Sequence, residues 1–264
     1  MRRAYANVMP GVAGTAGAAP RGPYQAGPWH QVQRNAAARG HQEPALPDAA
    51  PSPTRLLIVF YSRTGSVEAL ALAAAEGARE AGAEVRLCRA REVAAPEDMA
   101  KVEGWTEGAA RQNALYEEPT HQDAEWADAI LFGTPSYFGV MATELKNFFD
   151  RLGPQWKKGS LAGKVGGAFA TASWPHGGTE VVTLSLYAPM AHLGMVIVPT
   201  GYTDEAMLEA GSPYGASAIV GQGNNELRTE DLDAARHQGR RTVMIAGALV
   251  AAGEMPSRKD DYAP

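Results

Sequence analysis

The most informative short segment of the sequence is a polar loop, Ser62 to Val67, that joins a continuous apolar run to a helix-like pattern. The start of a helix presents free backbone N–H groups and the positive end of the helix dipole, and a glycine lets the backbone approach an anion closely. The loop therefore has the chemistry of a phosphate cradle. The residues that carry this reading are three hydroxyl side chains and one glycine within five positions: Ser62, Thr64, Gly65 and Ser66.

An ordinary helix cap is the alternative interpretation of the same loop. Ser66 or Thr64 would then accept a hydrogen bond from the first helical turn. Three hydroxyls and a glycine exceed what one cap needs, so phosphate binding is favoured. The loop does not end in the Gly-Lys-Ser/Thr of a Walker motif and contains no G-x-G-x-x-G fingerprint. No Gly-x-Ser-x-Gly elbow occurs in the sequence, which disfavours an α/β-hydrolase.

Composition narrows the partners of the chain. The 264 residues carry a net charge of −5, so there is no basic excess that would indicate nucleic acid binding. Cys88 is the one cysteine, which excludes an internal disulfide and multi-cysteine zinc sites. The sequence contains no run of about 18 consecutive apolar residues, so a membrane-spanning helix is not expected. We expect a protein without a metal centre, located in the cytoplasm.

The composition changes sharply near residue 53. Residues 1–53 hold 8 of the 18 prolines and few branched aliphatic residues, so they are predicted to form a disordered tail. The arginines of this segment, and the late position of its first acidic residue, are partly typical of an organelle transit peptide, but no amphipathic stretch is clear. An untargeted tail or a misplaced start codon is the preferred interpretation. We expect one folded domain over residues 54–254 and a flexible C-terminal tail over residues 255–264.

Five predicted strands alternate with helical patterns along the folded part. Such alternation is typical of βαβ units and predicts a parallel sheet with helices on both faces. Ligands then bind beyond the carboxyl ends of the strands. The predicted strands are Leu56–Tyr61, Glu84–Cys88, Ala129–Gly133, Lys164–Thr171 and Met195–Pro199. The clearest predicted helices are Val67–Ala81, Glu144–Leu152 and Thr179–His192, with a last one from Thr229; residues 89–127 are unassigned, and residues 201–227 are an excursion.

Several of these segments resemble one family. Ser62-x-Thr64-Gly65-x-Val67 and Gly133-Thr134-Pro135-Ser136-x-Phe138-Gly139 each follow a strand, and Gly211-Ser212-Pro213-Tyr214-Gly215-Ala216 lies downstream. Together with the His192-x-Gly194 segment they make the chain similar to flavodoxin-like proteins, and more narrowly to the WrbA family of NAD(P)H:quinone oxidoreductases. The resemblance covers about Arg55 to Gly253. The fold it implies is a flavodoxin-like α/β domain.

The resemblance implies FMN as the cofactor and assigns residues to it. The FMN phosphate would contact the first loop: Ser62, Arg63, Thr64, Gly65, Ser66 and Val67. Ser136, Tyr137 and Phe138 would border the flavin ring. Thr171, Ala172, Ser173 and Gly177 would contact the ribityl chain and the ring edge. His192 would reach the flavin of a neighbouring subunit, and Trp156 would line the substrate pocket.

The sequence departs from the family at three places. The family often has a tyrosine where this chain has Thr64, on the NAD(P)H side, and an arginine where it has Tyr137. The loop Ser173–Gly178 is one residue longer, so Trp174 and His176 become candidates for covering the flavin. Phe138 as a core residue and Trp156 as an ordinary core or interface residue remain alternatives.

The activity implied by the resemblance is FMN-dependent reduction of quinones by NADH or NADPH. Hydride transfer through FMN would give hydroquinones in a ping-pong mechanism, with no catalytic side chain, in a homotetramer. A flavodoxin-type electron carrier, an azo- or nitro-reductase and a scaffold with structural FMN are alternatives. Carriers are commonly small and strongly acidic, and a net charge of −5 over 264 residues is weak for that role.

Overall fold

A parallel sheet forms the centre of the computed structural model, which describes residues 53–210, 212–221, 227–253 and 255. The predicted tails, residues 1–53 and 255–264, lie outside the described residues apart from Pro53 and Met255. Within the described part the sheet has six parallel strands in the order β2-β1-β3-β4-β5, with β6 also paired to β4. The strands are β1 Arg55–Phe60, β2 Glu84–Arg89, β3 Ala129–Pro135, β4 Val165–Ala172, β5 Val196–Ile197 and β6 Ser217–Ile219.

The expectation of a flavodoxin-like parallel sheet is confirmed, with one addition at its edge. The predicted fifth strand contributes only Val196 and Ile197, which pair with the first two residues of β4. The last three residues of β4 pair instead with β6, which comes from the excursion over residues 201–227. The sequence offered no period-two pattern there, because β6 has only three residues.

Nine helices occur in the described ranges and cover both faces of the sheet. Their bounds are α1 Ser66–Glu80, α2 Pro96–Met99, α3 Trp105–Leu115, α4 His121–Trp126, α5 Thr143–Arg151, α6 Gly153–Lys158, α7 Thr179–His192, α8 Glu205–Ala210 and α9 Thr229–Ala251. The unassigned stretch over residues 89–127 holds α2, α3 and α4. None of these helices is both long and apolar enough to cross a membrane.

Alternation along β1 explains the two-sided core. Leu56 and Ile58 pack in one cluster with α1 and α9, whereas Leu57 and Val59 pack in a second cluster with α5 and α7. Both sets are fully buried, as a strand covered on each face requires. The sheet therefore holds its strand ends, and the loops that follow them, in fixed positions.

Helices α1 and α9 pack at unusually short range because glycines line their crossing. A Cβ added at Gly239 would lie 1.9 Å from the carbonyl oxygen of Ala74, and one at Gly77 would lie 2.0 Å from that of Arg236. Real Cβ atoms do not approach backbone so closely, so the two glycines are required for this contact. Because α1 starts at the predicted phosphate loop, the crossing also fixes the position of that loop.

We predict that Gly239→Ala lowers the free energy of unfolding by about 2–3 kcal/mol, because backbone on two helices must separate to admit the methyl group. The matched control is Gly153→Ala at the start of α6, where an added Cβ meets nothing within 4 Å. Urea unfolding followed by circular dichroism measures both. Equal stability of the two variants would contradict the role of this crossing.

Candidate functional site

Three loops meet at the carboxyl edge of the sheet. They follow β1, β3 and β4 and span residues 61–65, 136–142 and 173–178. Hydrogen bonds join two of them: the Ser136 N–H donates to the Thr171 carbonyl oxygen at 2.7 Å, and the Ser136 hydroxyl donates to the Gly177 carbonyl oxygen at 2.5 Å. In this strand order the direction of winding reverses between β1 and β3, and the crevice at such a reversal is where open α/β sheets bind ligands.

The loop after β1 has the geometry of an anion cradle. Gly65 occupies the N-cap position of α1 with φ 98°, and no side chain caps the helix. Plain capping by Ser66 or Thr64 is therefore wrong as an explanation of the loop. The Ser62 hydroxyl accepts a hydrogen bond from the Gly65 N–H at 3.0 Å and holds the turn closed. The first amide groups of α1 are thus left for an anion.

The other predicted residues of this loop do not all have the same surroundings. The Ser66 and Thr171 hydroxyl oxygens lie 3.4 Å apart, and both side chains are buried. The structure thus brings the loop after β1 against the end of β4. Val67 is part of the core cluster under α1, and Thr64 is exposed at the tip of the loop.

The loop after β3 is a tight turn. The backbones of Tyr137 and Val140 bond to each other in both directions, at 3.0 and 3.1 Å. Phe138 sits at the tip with φ 55°, the one non-glycine residue with positive φ in the described part of the chain. Its side chain is fully exposed, so core packing of Phe138 is wrong. A strained backbone of this kind occurs where a loop is built for a ligand or a contact.

The end of β4 is buried, whereas most of the loop that follows it is exposed. Thr171 and Ala172 are buried, whereas Ser173, Trp174 and His176 are exposed. Gly177 must be a glycine, because an added Cβ would lie 2.6 Å from the Cβ of Ala172. Gly178 occupies the N-cap position of α7 with φ 83°, and no side chain caps that helix.

Beneath the cradle lies a buried arginine that the sequence analysis missed. The Arg89 side chain is fully buried at the end of β2 and donates to the Ser62 carbonyl oxygen at 3.1 Å. It also pairs with Glu92 and donates to the Gln112 and Asn113 side-chain oxygens, at 3.0 and 2.6 Å. Charge-assisted bonds of this kind hold a loop rigidly. Arginine at the end of a strand gave no recognisable signal among residues 89–127.

Arg63 also has surroundings that its sequence position does not reveal. Its Cζ lies 3.8 Å from the ring centroid of Trp105 and 4.9 Å from that of Tyr137. Trp105 starts α3, and α3 packs on the loop so closely that a Cβ at Gly108 would lie 3.2 Å from the Arg63 carbonyl oxygen. Burial raises the pKa of Tyr137, so its phenol stays protonated. Trp105 is the one aromatic residue between Arg89 and Leu115, a signal that could have identified it.

Two predicted residues lie at the opposite edge of the sheet. His192 ends α7, a helix of 14 residues that starts at the carboxyl edge, which places it about 20 Å along the helix axis from that edge. Trp156 lies on α6, shortly before β4 begins, and is 62% exposed. One chain therefore does not bring either side chain to the three loops.

Cys88 lies on β2 and is not part of the three loops. Cys88 is buried on β2, and burial raises the pKa of its thiol to about 12. Within the described residues no cluster of His, Cys, Asp and Glu side chains has the arrangement of a metal site.

Comparisons with known proteins agree with this geometry. Residues 55–205 match the family model described as NADPH-dependent FMN reductase. The chain is 41% identical over 206 residues to "NAD(P)H dehydrogenase (quinone) 3" of Rhizobium meliloti, covering 74% of this chain and 93% of that protein. It is 41% identical over 202 residues to "NAD(P)H dehydrogenase (quinone)" of Deinococcus radiodurans, covering 75% and 98%.

The fold is also found among solved structures. A crystal structure described as the flavodoxin, WrbA-like protein from Agrobacterium tumefaciens superimposes with a TM-score of 0.52 at 24% identity. The match covers 74% of this chain and 98% of that one. At this identity the likeness concerns the fold.

We predict that Cys88 in the native protein resists alkylation by iodoacetamide at pH 8, because only about one thiol in ten thousand is ionised at a pKa near 12. The same incubation in urea labels the unfolded chain completely. Mass spectrometry measures both, and Cys88→Ser provides the unlabelled control. Rapid labelling of the native chain would show an accessible thiolate.

Proposed function

The chain belongs to the NADPH-dependent FMN reductase family and, within it, to the WrbA-type NAD(P)H dehydrogenases (quinone); on that basis we propose that it is an FMN-dependent NAD(P)H:quinone oxidoreductase. It would reduce quinones by two electrons to hydroquinones. The observation that carries the proposal is the uncapped start of α1 at Gly65, held at the β1/β3 reversal of the sheet. The names of the relatives supply the substrate class.

FMN fits the residues at the carboxyl edge. Its phosphate would bind the first amide groups of α1, with the Ser66 and Thr171 hydroxyls as further donors. Its ring would lie against the loops after β3 and β4, which Ser136 ties together. Bound FMN supplies the two-electron chemistry between NAD(P)H and the quinone.

The protein residues would bind and orient the reactants. The three loops are attached to buried strands, so they would bind the reactants without a large change in their own positions. Phe138 and Trp174 are exposed beside this cleft and offer apolar surface to a nicotinamide or a quinone. One cleft serving both substrates in turn would give ping-pong kinetics. Thr64, which is exposed at the tip of the loop, would contact NAD(P)H, and no side chain needs to act as a nucleophile.

A homotetramer is part of the proposal. Trp156 and His192 lie far from the cradle of their own chain, so they would reach a flavin only in another copy. Exposed apolar side chains are available for the contact: Val181 and Leu184 on α7 and Val196 on β5 are each more than 40% exposed. Surface patches of this kind often mark protein interfaces. We also propose a cytoplasmic location, with which the free thiol of Cys88 is compatible.

The decisive experiment measures NADH and NADPH oxidation by the purified full chain with and without FMN and benzoquinone. We expect oxidation that needs both FMN and quinone. Bound FMN without nucleotide oxidation would favour an electron carrier or a scaffold, and absence of FMN binding would refute the cradle. Azo and nitro compounds tested in place of the quinone would identify the related reductases.

A pair of glycine variants tests the cradle itself. We predict that Gly65→Ala raises the dissociation constant of FMN at least tenfold, because an alanine resists φ 98° and moves the amides of the loop. Gly82→Ala is the control at the other end of α1, with φ 82° and nothing within 4 Å of an added Cβ. Both should lose about 1–2 kcal/mol of stability. FMN fluorescence quenching should change only for Gly65→Ala.

Light scattering tests the assembly. We predict a particle of four times the 27.9 kDa chain mass, which Leu184→Asp on α7 divides into smaller species with reduced quinone reduction. Leu115→Asp is the control, because Leu115 is 63% exposed at the end of α3. A wild-type monomer with full activity would refute the tetramer and the role of Trp156 and His192.

A further inference from the structure

The guanidinium of Arg63 is held in an aromatic slot between two elements. Trp105 from α3 and Tyr137 from the loop after β3 lie 3.8 and 4.9 Å from its Cζ. Arginine stacks on aromatic rings through its planar faces, and here its N–H edge also faces the phenols of Tyr61 and Tyr137, where it opposes the rise that burial causes in the pKa of each. The Arg63 Nε is buried and has no hydrogen-bond partner. A buried donor without a partner is costly, so its presence at a ligand site suggests a function.

The charge of Arg63 is not cancelled by a paired carboxylate. Within the described residues Arg63 forms no ion pair, although two acidic side chains are near enough to influence the neighbouring tyrosines. Glu92 is committed to Arg89, to which its carboxylate is hydrogen-bonded. Glu144 is buried, and burial raises the pKa of its carboxyl, while the nearby charge of Arg63 opposes that rise. Neither carboxylate therefore forms an ion pair with Arg63 among the residues that the structure describes.

The slot lies across the reversal point of the sheet. Arg63 belongs to the loop after β1 and Tyr137 to the loop after β3, the two strands between which the winding reverses. Ser66, three residues further along the same loop, contacts Thr171 at the end of β4 instead. The side chains of Ser66 and Arg63 thus contact different loops, and the side chain of Arg63 extends to the loop predicted to border the flavin ring.

We propose that Arg63 is a positioning residue that supplies a fixed positive charge to the ring side of the FMN site and so favours reduced over oxidised FMN. The inference rests on the proposed function, and it assigns to the Arg63 side chain a role other than holding phosphate. Reduced flavin without a proton at N1 carries a negative charge, whereas the oxidised ring is neutral. Charge near the ring is one of the means by which a protein tunes a flavin.

The test measures the FMN midpoint potential and the affinity for flavin in the full chain. Arg63→Met keeps much of the length and apolar contact without charge, and Arg63→Lys keeps charge without planar stacking. Arg79→Met is the matched control, since it removes the same charge from the last turn of α1. Spectroelectrochemical titration gives the potential, and the midpoint of thermal unfolding reports whether each variant folds.

We expect Arg63→Met to lower the preference for reduced over oxidised FMN at least tenfold, which is a fall of about 30 mV for two electrons. Arg63→Lys should recover part of the loss, and Arg79→Met should match the wild type. An unchanged potential in Arg63→Met with FMN bound would overturn the inference and leave the proposed function intact. Wild-type protein that binds no FMN would overturn both.

Riboflavin separates the ring side from the phosphate side. We expect Arg63→Met to change the affinities for riboflavin and FMN by the same factor, because the ring is common to both. A loss confined to FMN would assign Arg63 to the phosphate and overturn the inference. Should Arg63→Met fail to fold, Arg63→Gln is the second neutral variant. Failure of both to fold, with Arg63→Lys folded at the wild-type potential, would reduce Arg63 to a structural role.

Discussion

The uncapped start of α1 is the constraint on which the rest of the structure depends. A helix leaves its first amide groups without partners inside the helix, and most helices satisfy some of them with a side chain. Here Gly65 supplies none, and the Ser62 hydroxyl is used to close the turn instead. The fold therefore keeps a polar helix end open at the carboxyl edge of its sheet. An anion bound there satisfies the amides and the helix dipole together.

The open start of α1 is held in place by two sets of buried contacts. Arg89 holds the Ser62 carbonyl oxygen from beneath, and its own charge is balanced by Glu92 in a buried network. Removing one member of such a network leaves a buried group unpaired, which is far more costly than losing a surface ion pair. The glycine contact between α1 and α9 fixes the helix from its other side. The cradle is thus supported by a buried network and a close helix crossing rather than by the loop alone.

The sequence predicted what depends on local patterns. The strands with continuous apolar runs, the helix ends and the phosphate loop follow from spacing and composition, and the structure confirms the parallel sheet. The three residues of β6 and the surroundings of Arg89 depend on which distant segments come together. Arg89 lies 27 residues from its partner Ser62, and Trp105 lies 42 residues from Arg63, and neither shows a periodicity that indicates such a partner. Their contacts are properties of the folded sheet edge.

The contact between Arg63 and Tyr137 involves one position at which the chain departs from the family. The resemblance expects a tyrosine where this chain has Thr64 and an arginine where it has Tyr137. This chain has the arginine in the first loop, at Arg63, and the tyrosine in the second, at Tyr137. The two side chains nevertheless meet at 4.9 Å across the reversal point. This chain therefore places a cation against the loop after β3, and that cation comes from Arg63 in the loop after β1.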